Sequence, residues 1–256
     1  QNGSYGIDAE AELTYDRSGG AHNGRVYLVY TDETPDESDN TDVFVRFSDN
    51  NGTTWSAPVR VNDDSGTNSQ FLPRIAVDQT SGAVAISWHD ARHDAGDRGP
   101  GDTNGLPNDD AQFFAAYSTD SGATFSQNVQ VSTGTSNAAA APPPPEGLRR
   151  LDYGDYTGLA AHGGYLYPAW ADNSNSTGDN PDGALSAFDI YTANIVISGP
   201  EPTPTPTVTT TRTRTPTRTR TPTRTRTPTR TPLIRTKTPT RTPTRTPLIR
   251  TKTPTP

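Results

Sequence analysis

Arg25-Val-Tyr-Leu-Val-Tyr-Thr-Asp32, Ala83-Val-Ala-Ile-Ser-Trp-His-Asp90 and Tyr165-Leu-Tyr-Pro-Ala-Trp-Ala-Asp172 are three copies of one pattern, an apolar strand that ends in aromatic-x-Asp. Each copy follows a shorter run: Ala11 to Asp16, Pro73 to Asp78, and Tyr156 to Ala161. Each also precedes a further strand: Asp42 to Phe47, Gln112 to Tyr117, and Asp189 to Asn194. After the first two of those strands come the turns Ser48-Asp-Asn-Asn-Gly-Thr-Thr-Trp55 and Ser118-Thr-Asp-Ser-Gly-Ala-Thr-Phe125, then short strands at Val59–Val61 and Val129–Val131. Residues 1–199 show no 3.6-residue periodicity, and their apolar runs are broken by Gly, Asn, Asp and Ser, as in sequential strands.

Four strands recurring every 60 to 80 residues or so read as propeller blades, because a small sheet hides its faces only by stacking on neighbours around an axis. The expected fold is therefore all-β: a β-propeller of four-stranded antiparallel blades, about three of them present with the third incomplete, out of a ring of six or seven. Two domains are expected, the blades at 1–199 and a low-complexity tail at 200–256.

The turns have a local physical reason. Asp120 or Asn50 can accept backbone N–H groups inside the hairpin, Gly52 and Gly122 can take positive φ, and Trp55 or Phe125 can pack between sheets. The pattern Ser-x-Asp-x-Gly-x-Thr-Trp/Phe resembles the Asp-box (BNR repeat) of sialidases and related propellers. It is complete at Ser118, Asp120, Gly122 and Phe125, and has Asn50 in place of Asp among Ser48, Gly52 and Trp55. The resemblance covers roughly residues 5–197 and implies that these turns are structural and lie away from the catalytic face.

In an up-and-down blade, successive turns fall on alternate ends. The end opposite the Asp-box turns carries the long connections 32–41, 90–111 and 172–188 together with the inter-blade segments near 62–72 and 132–155. Long loops on one end of a rigid scaffold are where binding is expected. There, Trp88-His-Asp-Ala-Arg-His-Asp94 is followed by Asp97, Asp102, Asn104, Asn108, Asp109 and Asp110, hard oxygen ligands among Gly and Pro turns. Asp90, Asp94, Asp97 and Asp102 are candidate Ca²⁺ ligands. The alternative is that Asp90 pairs with Arg92 and the other acids are solvated.

A sialidase resemblance implies an Arg triad for a substrate carboxylate, an Asp acid/base and a Tyr nucleophile activated by Glu. The residues here that match those types are Tyr156 or Tyr153 as nucleophile, with Glu146 as partner. Arg74, Arg92 or Arg149 are the candidates for a carboxylate, and Asp90 and Trp88 are further candidate ligand-binding residues. The alternative is a strand-edge Tyr and surface Arg. Activity of the exo-sialidase or related glycoside hydrolase type would require N-terminal blades beyond those visible, and a third reading is a self-assembling structural protein whose open blade edges pair with another copy.

Charge separates the two parts. Of 22 Lys and Arg, 9 lie in residues 1–199 against 28 of the 29 acids, so the blades are about −19 and the tail about +12. Acidic blades without Lys are poor partners for nucleic acid. No apolar run is long enough to span a membrane, and the N-terminal residues show no charged-then-apolar signal pattern, so the chain reads as mature or truncated. Zero Cys excludes disulfides and thiolate chemistry. In the tail 25 of the last 56 residues are Thr, interleaved with Pro and Arg, and Pro232–Thr240 is repeated at Pro247–Thr255. Such a segment reads as an extended, O-glycosylated spacer that tethers an extracellular, wall- or matrix-associated protein, or as a basic binder of acidic partners. The expected ligand of the long-loop end is a glycan or other cell-surface group.

Overall fold

A computed structural model describes residues 10–33, 40–141, 153–154, 156–197 and 211–213. Among these there is no helix, and so none long and apolar enough to cross a membrane. The chain divides into two units, Gln1–Pro216 and Thr217–Pro256, of which the second lies outside the described residues.

The first sheet is a meander of β1 (Ala11–Tyr15), β2 (Val26–Asp32), β3 (Asp42–Ser48) and β4 (Val59–Arg60). The second runs β5 (Gln70–Val77), β6 (Val84–Asp90), β7 (Asp110–Ser118) and β8 (Val129–Gln130), with β9 (Ser136–Asn137) also on β7. The third is built from β10 (Gly158–His162), β11 (Tyr165–Asp172) and β12 (Asp189–Thr192). Next, β13 (Ile195–Val196) pairs with the start of β11, so it continues the line of β12 after a break. Every pairing is antiparallel.

The third sheet departs from expectation. Its fourth strand, β14 (Thr211–Thr213), comes from the segment read as a spacer and pairs antiparallel with β12, Ile190 opposite Thr213. Alternating β-branched Thr suits a pleated edge, and composition alone hides that local preference.

The sheets stack through alternate residues. Tyr27, Val29, Val43, Val45 and Val61 of the first sheet close on Ile75, Val77, Val84, Ile86, Trp88 and Phe114 of the second. The opposite face of the second sheet, Ala85, Phe113, Ala115 and Val131, packs on Leu166, Trp170, Tyr191 and Ile195 of the third. All of β6 is buried, because both its faces are covered. The outer faces of the flanking sheets leave Leu13 and Tyr15 on one side and Tyr165, Tyr167 and Ile190 on the other exposed.

The repeated aromatic-x-Asp is a clamp. The indole N–H of Trp88 donates to Asp90 Oδ2 at 2.7 Å while Asp90 Oδ1 accepts the Arg92 N–H at 2.9 Å. Trp170 repeats this with Asp172 Oδ2 at 3.1 Å, and Ser174 N–H donates to Asp172 Oδ1 at 2.7 Å. A strand end is thus tied to its following turn. The two hairpins share another device. Ser118 Oγ donates to Asp120 Oδ1 and accepts Gly122 N–H at 2.8 Å, while Asp120 Oδ1 accepts Thr124 N–H at 2.9 Å. Asn50 reproduces the set with Ser48, Gly52 and Thr54. Gly122 has φ +84° and sits where a Cβ would come within 3.1 Å of the Tyr27 ring, so this turn docks on the first sheet.

Asp78, in the β5–β6 turn, joins the second sheet to the third by accepting the N–H groups of Gly163 at 3.2 Å and Gly164 at 2.7 Å. Burial alone would raise its pKa, but the Thr80 and Ser81 hydroxyls and the Gly164 and Thr80 N–H groups hold it down to about 2. A depressed carboxylate stabilises the fold above its unfolded pKa and loses that contribution as pH falls through the folded value. Asp78→Ala is therefore expected to lower the unfolding free energy at pH 7 by on the order of 2 kcal/mol. The deficit relative to wild type should shrink between pH 4 and pH 2 in urea titrations; a constant deficit would mean the role is not ionic.

Candidate functional site

The first strands of the three sheets lie side by side, β5 beside both β1 and β10. At their entry ends, residues from three blades meet. The β5 strand enters through a bulge between Phe71 and Arg74, where Leu72 adopts φ +54°. That conformation is costly for a branched side chain and persists only when its surroundings impose it. They do so here: Thr157 Oγ1 donates to Leu72 O at 3.1 Å, and Arg74 Nε donates to Thr157 O at 2.9 Å. The bulge re-aims Arg74. Its guanidinium lies 5.5 Å from the ring centre of Tyr156 and 4.0 Å from Glu10 Oε2. Glu12 on β1 accepts the Ile75 N–H at 2.8 Å. Tyr156 is 79% exposed, the most exposed of the large apolar side chains among the described residues.

Beneath this mouth lies an aromatic cluster. His89 stacks on Phe71 at 5.3 Å, Tyr153 stands against both, and Phe113 packs edge-on to His89. Tyr153 donates its hydroxyl to Ser136 O at 2.8 Å, and burial pushes its pKa well above the ordinary phenol value. Burial likewise lowers the His89 pKa to about 4, so the ring is neutral at pH 7.

The 91–109 connection folds around carboxylates. One oxygen each of Asp94, Asp102 and Asp110 lie within 4.8 Å of one another, and all three residues are buried. Asp94 Oδ2 accepts the N–H groups of Asp109 and Asp110 at 2.6 and 2.8 Å. Asp102 accepts those of Arg98, Asn104 and Gly105, and Asp110 the N–H and hydroxyl of Thr103. Burial raises the Asp110 pKa to about 6 against the pull of the Thr103 bonds, with the Asp94 and Asp109 charges adding to the rise. Asp94 is raised for the same leading reason, while backbone N–H groups overcome burial to lower Asp102.

The sequence-derived site residues separate accordingly. Arg74 and Tyr156 come together. Tyr153 is walled into the core, out of reach of a ligand in solution. Trp88 and Asp90 are fully buried and satisfy one another, so they brace the blade. Arg92 lies over Phe114 and is held by Asp90, Asp63 and Asn128. Of the four Asp proposed as metal ligands, Asp94 and Asp102 group together. Asp90 is engaged by Trp88, Arg92 and Gln70, and Asp97 is exposed and accepts the Gly99 N–H. Asp110 takes their place, and Glu10 and Glu12 join the mouth. Glu146 and Arg149 lie outside the described residues, as does the tail except for β14.

No family model matches this chain, and neither does any curated protein. Among solved structures it is similar to the intramolecular trans-sialidase from Ruminococcus gnavus, at 14% identity and TM-score 0.44 over 80% of this chain and 34% of that one. It is also similar to the leech intramolecular trans-sialidase, at 13% and 0.41 over 78% and 24%. The Penicillium chrysogenum alpha-L-arabinanase gives 14% and 0.42 over 81% and 51%. The chain spans about a quarter to a half of the length of these proteins.

A neutral buried His with a depressed pKa stabilises the fold above its unfolded pKa and costs stability as pH falls from there towards the folded value. Between pH 7 and pH 4, His89 is therefore expected to remove on the order of 3 kcal/mol of unfolding free energy. A His89→Phe variant should show a flatter profile in urea melts over that range. Superimposable profiles would show that His89 titrates as freely folded as unfolded.

Proposed function

We propose that this chain is a sialidase-like propeller module of the cell exterior that binds an acidic glycan at the mouth formed by Glu10, Arg74 and Tyr156, with the Thr/Pro/Arg segment as its spacer. The observation that supports the reading is the exposed Tyr156 ring set over the Arg74 guanidinium, at the point where three blades meet. An uncovered aromatic ring offers the apolar C–H face of a sugar a stacking surface. A guanidinium fixed by Thr157 beside it suits a carboxylate, which Arg recognises by a charge-assisted hydrogen bond. Glu10 and Glu12 at the same mouth favour a ligand with hydroxyl donors as well as one acid group.

Binding is preferred here to glycoside hydrolysis. Tyr156 faces a single guanidinium among the described residues, whereas the family resemblance implies three. The acidic blades work against a polyanionic ligand and leave room for a monoacidic one.

Titration of the full chain with 3′-sialyllactose and with lactose tests this. Sialyllactose is expected to bind and lactose to bind at least about tenfold more weakly, the margin of one charge-assisted hydrogen bond. Tyr156→Ala should weaken both, and Arg74→Lys should reduce the preference for the acidic sugar, with circular dichroism unchanged. Equal binding of both sugars by wild type and variants would sink the reading, and turnover of a fluorogenic sialoside would replace binding with hydrolysis.

A further inference from the structure

We propose that Asp94, Asp102 and Asp110 hold a Ca²⁺ ion inside the connection between β6 and β7. The proposal does not rest on the glycan reading. Three carboxylates meet in a buried place, and among the described residues no Arg lies within ion-pair distance of any of them. Gathering like charges away from water is unfavourable unless a counter-charge joins them.

A second observation points to that counter-charge. Asp94 is fully buried, and its Oδ1 accepts no hydrogen bond, while its Oδ2 accepts two. A buried carboxylate oxygen without a donor is rare, since leaving it so costs its full desolvation. The other two carboxylates are held in place from behind by Arg98, Asn104, Gly105 and Thr103. Gly101, with φ +100°, lets the loop pass against His93, where a Cβ would come within 2.5 Å of the His93 Cβ. The group is therefore fixed before any ion arrives.

The donor set selects the ion. It is all oxygen, without His or Cys, which suits a hard cation. Three converging carboxylates in a loop suit Ca²⁺, which takes many oxygens in flexible geometry, better than Mg²⁺, which demands a near-ideal octahedron and keeps most of its waters. Water would complete the six to eight oxygens that Ca²⁺ takes. A filled site would pin the connection that runs from Asp90 to Asp110.

The test is calorimetric titration of the full chain, stripped with EDTA, with CaCl₂ and separately with MgCl₂, alongside thermal melts in each salt. One Ca²⁺ site is expected, with Kd on the order of 10⁻⁵ to 10⁻³ M, together with a Tm rise that saturates with binding and weaker binding of Mg²⁺. Asp94→Asn and Asp110→Asn should each weaken Ca²⁺ by at least about tenfold, while Asp97→Asn binds like wild type. Should either variant fail to fold, Asp102→Asn provides the same readout from nearer the surface. The proposal is overturned if folded wild type gives neither heat nor a Tm rise at about 10 mM CaCl₂, if Mg²⁺ binds as tightly, or if the folded variants keep wild-type affinity.

Discussion

A four-stranded meander has two faces to hide and, among the described residues, which form no helix, only another meander to hide them against. The contact between β6 and its neighbours on both sides answers that need: Val84, Ile86 and Trp88 point into the first interface, Ala85 and His89 into the second. Because side chains alternate with period two, one strand serves both interfaces. The clamps at Asp90 and Asp172 then fix where strands end, and Asp78 ties the second blade to the turn of the third. The mouth around Arg74 exists because three first strands are held side by side by these interfaces.

Carboxylates do much of this work, which changes the meaning of the acidic composition. Asp78, Asp90, Asp102, Asp120 and Asp172 each accept backbone N–H groups at a turn or strand end. An Asp has two oxygens on a short stem, so it can satisfy the unpaired donors of a tight turn that longer Glu would overshoot. Much of the negative charge of the blades is thus committed to local geometry. The acids that also converge on one another, or on an arginine beside an exposed ring, are few, and they mark the 94–110 connection and the Glu10–Arg74 mouth.

The repeat of strands and turns was legible in the sequence because the devices recur at fixed offsets: aromatic-x-Asp at strand ends, Ser-x-Asp/Asn-x-Gly at hairpins. The same recurrence should have told against Trp88 and Asp90 as ligand residues, since a pattern repeated at Trp170 and Asp172 belongs to the scaffold. Arg74 and Tyr156 could be singled out by type, but their meeting depends on the bulge at Leu72, and nothing in Phe-Leu-Pro-Arg announces a positive φ at Leu. Asp110 is named among the oxygen donors of its connection but not among the four candidate ligands, because its place at the first position of β7, paired with Asn137, does not show in the sequence. Glu10 precedes the first short run and Glu12 lies within it, and the strand pattern alone does not say that either meets the β5 bulge. Low complexity masked β14, whose alternating Thr meets a sheet edge.

The double coverage of β6 also orders the molecule in time. Its amides belong to a strand with no residue open to solvent, while β1 and β11 each turn side chains to water on one face. Local opening reaches the outer sheets first, and the middle strand exchanges its amide hydrogens only when the stack as a whole comes apart. The mouth inherits this ranking: Arg74 stands on β5, next to the slowest element, whereas Tyr156 stands ahead of β10 at the faster margin. One half of the proposed binding pair is therefore anchored in the stack and the other stands at its open margin, an arrangement that would hold a ligand between a fixed charge and a ring with room to adjust.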